Sequence, residues 1–164
     1  MKHYIMAAVM LFVATVANAK EDVITQDKYP EHYCLALNIY YEERGSNLAD
    51  KAAVSDVVLN RVNDNRYPNT ICEVVKQGKQ HPSGQMVRNA CQFSWYCDGK
   101  SDVPLDKDRW FEAQMIAWGF LEYDKYRGIT EGATHYHATY VSPRWAKDLQ
   151  IVGRIGAHIF YRWE

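Results

Sequence analysis

Four cysteines constrain this chain most, because an even number of them can be joined in pairs. They are Cys34, Cys72, Cys91 and Cys97, and they allow three connectivities. We favour Cys91–Cys97, which closes a small loop, and this leaves Cys34 to pair with Cys72. The second bridge closes a loop of nearly forty residues, for which the chain-entropy model gives roughly 3–4 kcal/mol. A zinc site is the alternative, but the sequence has no Cys-x-x-Cys pair to support it.

Disulfides require an oxidising compartment, and the first nineteen residues predict export to one. Lys2 and His3 precede an apolar run over residues 4–16, and residues 17–19 have the small-x-small form of a signal peptidase site. We therefore expect a signal peptide at 1–19, a flexible lead-in at 20–29 and one domain at 30–164. The expected location is the periplasm, cell envelope or extracellular space. After cleavage no stable membrane anchor is expected, although an uncleaved anchor or a buried helix is the alternative for this run.

The charge excludes little beyond one class of partner. Nineteen basic and twenty acidic side chains give a net charge of −1, and no run of Lys or Arg resembles a nucleic-acid footprint. We expect no nucleic-acid partner, no cofactor, no bound metal and a monomer.

The order of predicted elements indicates an α+β fold, mainly helical, with a small antiparallel sheet late in the chain. Pro30 suits the first turn of a helix over residues 31–44, and Gly45 ends it. Ser46 or Asn47 caps a second helix that runs to about residue 63, and Thr70 caps a short one over 71–76. Residues 105–123 form the last predicted helix, 77–104 an irregular loop, and 132–140 and 154–163 strands.

Glu42 is the first candidate for chemistry. In a helix over 31–44 it lies on a stripe with Leu35 and Ile39, where desolvation raises a carboxyl pKa and suits it to act as an acid near neutral pH. The alternative is a helix-end glutamate paired with a cation. Periodicity alone does not separate Glu42 from Glu43.

Nine blocks of sequence resemble the SleB-type cell wall hydrolases, which are the spore-cortex-lytic enzymes and their relatives in other bacteria and phages. They keep the family order and span nearly all of the chain after residue 38: 39–45 (IYYEERG), 52–62 (AAVSDVVLNRV), 67–68 (YP), 71–75 (ICEVV), 91–95 (CQFSW), 97–99 (CDG), 132–136 (GATHY), 145–146 (WA) and 155–162 (IGAHIFYR).

The resemblance implies a lysozyme-like catalytic domain over 30–164 that cleaves peptidoglycan between N-acetylmuramic acid and N-acetylglucosamine. The family glutamate is the first acid of a Glu-x-Arg-Gly motif, which maps to Glu42. The chain has Ser46 where the motif often has a second Glu, so a role for that acid does not transfer. The family also resembles lytic transglycosylases, for which one carboxyl group suffices, and we expect transglycosylation with muramidase-type hydrolysis as the alternative. Asp98 and Asp102 are weak candidates for the second carboxylate that hydrolysis commonly uses.

Two further segments are predicted to bind substrate. Gln92, Phe93, Ser94 and Trp95 offer an amide, a hydroxyl and two aromatic rings to an N-acetyl sugar, although a loop that only packs over the helices fits equally well. The second set is His135, Tyr136 and His158 from the late strands. Tyr136 is expected to stabilise developing charge or to hold Glu42, and the alternative is a buried structural tyrosine.

Two competing classes of function remain open. A zinc amidase or peptidase could use His135 and His137, which lie on one side of a strand, together with His158, but no His-Glu-x-x-His motif is present. A wall-binding module or inhibitor without catalysis is the non-enzymatic alternative.

Overall fold

The computed structural model describes residues 24–42 and 46–163. In that part of the chain the helices are α1 (Pro30–Glu42), α2 (Leu48–Val62), α3 (Ile71–Val75) and α4 (Lys107–Tyr123), with two 3₁₀ helices at Ser94–Cys97 and Arg144–Asp148. The strands are β1 (Gly78–Gln80), β2 (Met86–Cys91), β3 (His135–Ala138), β4 (Gln150–Ile155) and β5 (His158–Arg162). The predicted α+β fold, mainly helical with a late antiparallel sheet, is confirmed.

Side-chain caps set where the helices begin. The Asn47 side chain accepts a hydrogen bond from the amide of Asp50, and the Thr70 side chain accepts one from that of Glu73. Each bond satisfies an amide that has no partner within its helix. The predicted caps of α2 and α3 are therefore confirmed, whereas the predicted end of α1 at residues 43–45 lies outside the described residues.

The core lies where α1 packs against α2, α3 and α4. Leu35, Ile39, Val54 and Val58 are fully buried, and full burial of such a side chain contributes roughly 1.5–3 kcal/mol. The predicted apolar stripe of α1 is therefore its packing face, and Glu42 continues that stripe at the end of the helix.

Polar side chains of α2 bind the second half of the domain. Asp50 accepts a hydrogen bond from the Ala157 amide at 3.1 Å, and Asn60 donates to the Ala133 carbonyl at 2.9 Å. The fully buried Asp56 accepts hydrogen bonds from the backbone and side chain of Thr130 and forms an ion pair with Arg127. The late sheet is thereby attached to the helices through buried hydrogen bonds as well as apolar contact.

The prediction of an irregular loop at 77–104 was wrong for residues 78–80 and 86–91, which are strands. β1 and β2 form an antiparallel hairpin within it, with Gly78 opposite Cys91 and Gln80 opposite Met86. Gly78 lies so close to its partner that a β-carbon there would approach the Cys91 sulfur to 2.8 Å. The strands are short and largely polar, so they lack the alternation of apolar residues that predicts a half-buried strand.

The late sheet has the order β3-β5-β4, with both pairs antiparallel. The strand predicted at 154–163 is two strands in the structure, because the chain reverses at Gly156 with φ +53°, and β4 reaches back to Gln150. The strand predicted at 132–140 is shortened to β3. A single glycine inside an apolar run does not by itself indicate a reversal, so the sequence pattern merged β4 and β5.

Both favoured disulfides are present. Cys34–Cys72 joins α1 to α3, and Cys91–Cys97 closes the turn after β2. The cysteine pairing predicted from the sequence is confirmed.

The predicted signal peptide at 1–19 lies outside the described residues, as do residues 20–23 of the lead-in. In the rest of the lead-in, Ile24 is buried and Tyr29 packs edge-on against Trp118. Across the described residues, no helix combines the length and the apolar character needed to cross a bilayer.

Substitution of Gly156 by Ala should destabilise the domain. A β-carbon at this position would collide with the Asp50 carboxylate, and the positive φ is itself strained for alanine. We expect a loss of roughly 2–4 kcal/mol in the free energy of unfolding, measured by urea denaturation. Gly153→Ala is the matched control, because a β-carbon at this site in β4 meets nothing within 4 Å. Equal stability of the two variants would contradict this account of the turn.

Candidate active site

A cleft of about 280 Å³ opens beside the end of α1. Its walls come from α1, α2, the turn after β2, β3 and the second 3₁₀ helix. Eight side chains line it: Glu42, Arg61, Gln92, Phe93, Ser94, His135, Tyr136 and Trp145. The cleft therefore collects residues from both halves of the domain.

Glu42 is half-buried at the last position of α1 and faces Tyr136. The Tyr136 hydroxyl donates a hydrogen bond to Oε2 of Glu42 at 3.2 Å. The Tyr136 ring is itself held, stacked on Phe160 and edge-on to His158. Because β3 fixes the ring and the ring hydroxyl reaches the carboxyl group, Tyr136 can orient Glu42.

Asn38 anchors the same part of α1 one turn before Glu42. It is fully buried, and its Oδ1 accepts a hydrogen bond from Nε1 of Trp95 at 3.1 Å. The Trp95 ring stacks on Tyr41 with a centroid distance of 4.9 Å. The helix end that carries Glu42 is therefore fastened to the turn that follows β2.

Arg61 is a residue of the site that sequence reasoning did not select. It is only 5% exposed, and its Nε donates a hydrogen bond to the Thr134 carbonyl at 2.8 Å. The guanidinium carbon lies 5.3 Å from the Phe93 ring centroid and 5.4 Å from that of Tyr67. The sequence could have indicated its burial, because Arg61 continues the buried face of α2 one turn after Val58.

Burial disfavours the charged form of Arg61, and the neighbouring side chains favour it. Burial lowers the pKa of Arg61, whereas interactions with Tyr136, Tyr67 and Glu42 act in the opposite direction. An arginine in a protein nevertheless stays protonated. Arg61 therefore brings a fixed positive charge to the cleft.

The turn between the cysteines divides the predicted sugar-binding residues between two cavities. Gln92, Phe93 and Ser94 line the cleft of Glu42, with the Phe93 ring buried in its wall. Trp95 instead lines a neighbouring cavity of about 340 Å³. Ser94 lines both, so the two cavities meet at this turn.

The neighbouring cavity also contains the two acids considered as second carboxylates. Asp98 and Asp102 both line it, together with Tyr40, Tyr41, Lys100, Ser101, Val103 and Leu105. Burial, followed by the charge of Asp98, raises the pKa of Asp102. Both acids are thus placed beyond the turn from Glu42.

On β3, His135 contributes to the cleft beside Tyr136. Its ring contacts Trp145 and Trp163, and Thr134 Oγ1 lies 3.0 Å from its Nδ1. Desolvation and the nearby charges of Arg61 and Arg66 lower the pKa of His135 to about 4. His135 is therefore a neutral hydrogen-bonding group at physiological pH.

Trp145, a second residue that sequence reasoning did not assign to the site, contacts both His135 and His137. It belongs to the 3₁₀ helix before β4 and lies on the cleft wall. A half-buried indole on such a wall can pack against a sugar ring.

His158 lies behind Tyr136. Its Nδ1 is 3.7 Å from Oδ1 of Asp50, and its ring centroid is 5.3 Å from that of Tyr136. Any contribution of His158 to the site therefore reaches the cleft through Tyr136.

The sheet register argues against the zinc site built from three histidines. β5 places His158 opposite Ala138, so His158 lies on the same face of the sheet as Tyr136, whereas His135 and His137 project from the other face. Within residues 24–42 and 46–163, no three or more His, Cys, Asp or Glu side chains are grouped closely enough to hold a metal ion.

Comparisons with known proteins agree with this fold and identify its family. The model of the cell wall hydrolase family matches residues 45–161, so the match begins just after Glu42. The catalytic domain of the Bacillus cereus SleB protein shares 22% identity and a TM-score of 0.57, and covers 86% of this chain and 94% of that one. The catalytic domain of the germination-specific lytic transglycosylase SleB from Bacillus anthracis shares 22% identity and a TM-score of 0.60, with 86% and 98% coverage. No curated protein is significantly similar in sequence.

His135 should make the stability of the domain depend on pH. Because its pKa is lowered from 6.5 to about 4 on folding, the unfolded chain binds a proton first as the pH falls through this window, and wild type loses stability there. In His135→Gln that contribution is absent, so the free energy of unfolding of wild type minus that of the variant should decrease from pH 7 to pH 4. Urea denaturation across this range measures it. The exposed His81→Gln is the control, and a pH-independent difference for His135→Gln would contradict the burial argument.

Proposed function

Since the chain belongs to the cell wall hydrolase family and is thus a peptidoglycan-degrading enzyme, we propose that it cleaves the glycosidic bond between N-acetylmuramic acid and N-acetylglucosamine, with Glu42 as general acid. The observation that carries the proposal is the position of this carboxyl group. Glu42 faces a cleft, is half-buried, and accepts a hydrogen bond from a tyrosine fixed on β3.

The walls of the cleft suit an N-acetylated sugar. Gln92 and Ser94 offer hydrogen-bonding groups beside the catalytic carboxyl group, and Trp145 offers an aromatic face. Neutral His135 adds a donor or acceptor without adding charge. The proposed substrate-binding residues are therefore Gln92, Phe93, Ser94, His135, Tyr136 and Trp145, with Trp95 in the adjoining cavity and His158 supporting Tyr136.

We propose lytic transglycosylation as the mechanism. Glu42 donates its proton to the glycosidic oxygen, and the bond from the muramoyl C1 to that oxygen breaks. Glu42, now a carboxylate, removes the proton from the C6 hydroxyl of the muramoyl residue, and O6 forms a bond to C1. The products are a new free 4-hydroxyl group and a 1,6-anhydro end, and Glu42 is protonated again.

The count of acids supports transglycosylation over hydrolysis. Among the described residues that line the cleft, Glu42 is the single carboxylate. Direct hydrolysis commonly requires a second carboxylate as base or nucleophile on the other side of the scissile bond. The relative from Bacillus anthracis is itself named a lytic transglycosylase, which favours the same chemistry here.

Tyr136 assists both halves of this cycle. Its hydroxyl donates to Glu42, and a hydrogen bond to a carboxylate is about twice as strong as one between neutral groups. The bond therefore strengthens when Glu42 gives up its proton. Tyr136 thus keeps the carboxylate oriented toward the sugar for the second proton transfer.

The substrate of this family lies outside the cytoplasm, so we also propose that residues 1–19 direct export. The catalytic domain then comprises residues 30–164, and in the segment before it Ile24 is buried and Tyr29 packs against Trp118. The two disulfides fit this location, because they persist in oxidising compartments.

Replacement of Glu42 by Gln tests the assignment directly. Glutamine keeps the size of the side chain and cannot donate the proton, so we expect the rate of muropeptide release from purified sacculi to fall by at least about 10²-fold. Glu131→Gln, at an exposed position, should digest sacculi at the wild-type rate. Wild-type activity in Glu42→Gln would show that another residue is the acid.

Product analysis distinguishes the two mechanisms. Mass spectrometry of wild-type products in ¹⁸O-labelled water should find 1,6-anhydro ends without label. Exclusive incorporation of the label at the new reducing ends would establish hydrolysis and exclude transglycosylation.

Substitution of Tyr136 by Phe removes only the hydroxyl group that contacts Glu42. We expect kcat to fall by roughly 10- to 100-fold, the range for loss of a hydrogen bond to a charged group, with little change in KM. Tyr161→Phe is the matched control, since its hydroxyl is 2.8 Å from Nε2 of His137 in the same sheet. If kcat falls no further in Tyr136→Phe than in this control, Tyr136 has a packing role and does not assist Glu42.

A further inference from the structure

Arg61 has a hydrogen-bond donor that the fold does not use. Its Nε is bound to the Thr134 carbonyl, but Nη1 is buried and has no hydrogen-bond partner among the described residues. The side chain is nevertheless part of the cleft wall. A buried donor left unpaired destabilises the fold, and more so when it is charged, so such a group is retained where it has a use.

The surroundings of Arg61 define what could bind there. The rings of Phe93 and Tyr67 flank the guanidinium group, and a hydrogen bond made between them is shielded from water and correspondingly stronger. A guanidinium group only donates, so its partner must be an acceptor. The strongest acceptors on a peptidoglycan strand are the acyl oxygens, which belong to the 2-acetamido groups and to the 3-lactyl group of the muramoyl residue.

We propose that Arg61 is a substrate-binding residue whose Nη1 donates to an acyl oxygen of the sugar next to Glu42. The inference rests on the proposed function, because it assigns a role within the same cleft. Because Nη1 is buried in the structure, the wall of the cleft around Arg61 must open when the acyl oxygen enters. Arg61 then binds Thr134, the residue before β3, through Nε and the sugar through Nη1. The same side chain thus positions the substrate and the strand that carries Tyr136.

Binding measurements on Arg61→Lys test the proposal. Lysine keeps the positive charge but cannot hold the Thr134 carbonyl and a sugar in the same forked geometry. The parent and the Arg61→Lys variant both carry Glu42→Gln so that ligands stay intact, and affinity is measured by titration calorimetry. The ligands are peptide-free glycan strands, with acetamido and lactyl groups, and chitotetraose, which has acetamido groups alone.

Arg127→Lys in the same background is the matched control, because Arg127 is also paired within the fold, with Asp56, but does not line the cleft. Thermal unfolding measures how far each variant is destabilised. A loss of affinity in Arg61→Lys that is larger than that in an equally destabilised Arg127→Lys is then due to the lost contact with the sugar. If Arg61→Lys does not fold, Arg61→Gln replaces it, because glutamine retains one donor without the charge.

We expect Arg61→Lys to weaken binding by about tenfold, in the range for a charged hydrogen bond, while Arg127→Lys binds as the parent does. Weaker binding of both ligands by Arg61→Lys identifies the acetamido oxygen as the acceptor. Weaker binding of the glycan strand alone identifies the lactyl oxygen. Unchanged affinity for both ligands, or an equal loss in Arg127→Lys, would overturn the proposal. Absence of glycan binding by the parent itself would instead contradict the proposed function.

Discussion

The domain depends on one helix whose buried polar side chains bind across to the other half of the chain. Asp50 holds the turn between β4 and β5, Asp56 holds the segment around Thr130, and Arg61 holds the start of β3. Each of these α2 side chains is buried, and removal of one partner would leave the other unpaired away from water. Such bonds are directional, unlike apolar contact, and so they fix where the sheet lies relative to the helices.

That constraint is what assembles the candidate active site. Glu42 comes from α1 in the first half of the domain and Tyr136 from β3 in the second, and no local interaction along the chain brings them together. The link passes through α2, which packs against α1 and whose Arg61 binds the residue two before Tyr136. The turn closed by Cys91–Cys97 completes the wall and is fastened to α1 through Asn38 and Trp95. Glu42 and Tyr136, which are 94 residues apart in the sequence, are thereby brought within 3.2 Å of each other.

Much of this arrangement could be predicted from sequence where the signal is local. The helices have apolar stripes and caps such as Asn47 and Thr70, and the pairing of the cysteines follows from their number and spacing. The hairpin of β1 and β2 was missed because its strands are short and largely polar, so they lack the apolar alternation by which a strand is predicted. β4 and β5 were merged into one predicted strand because the turn at Gly156 is held by the Asp50 carboxylate, which lies more than a hundred residues earlier in the chain.

Arg61 shows why the site was harder to predict than the fold. By position it belongs to the core face of α2, where an apolar residue would pack without an unpaired donor. Among the described residues the fold uses only part of its hydrogen-bonding capacity, and the side chain lines the same cleft as the proposed acid. Local rules of burial are broken most often where a site requires it. A buried arginine in an apolar stripe is therefore a signal that sequence analysis can use, provided that the helix and its buried face are identified first.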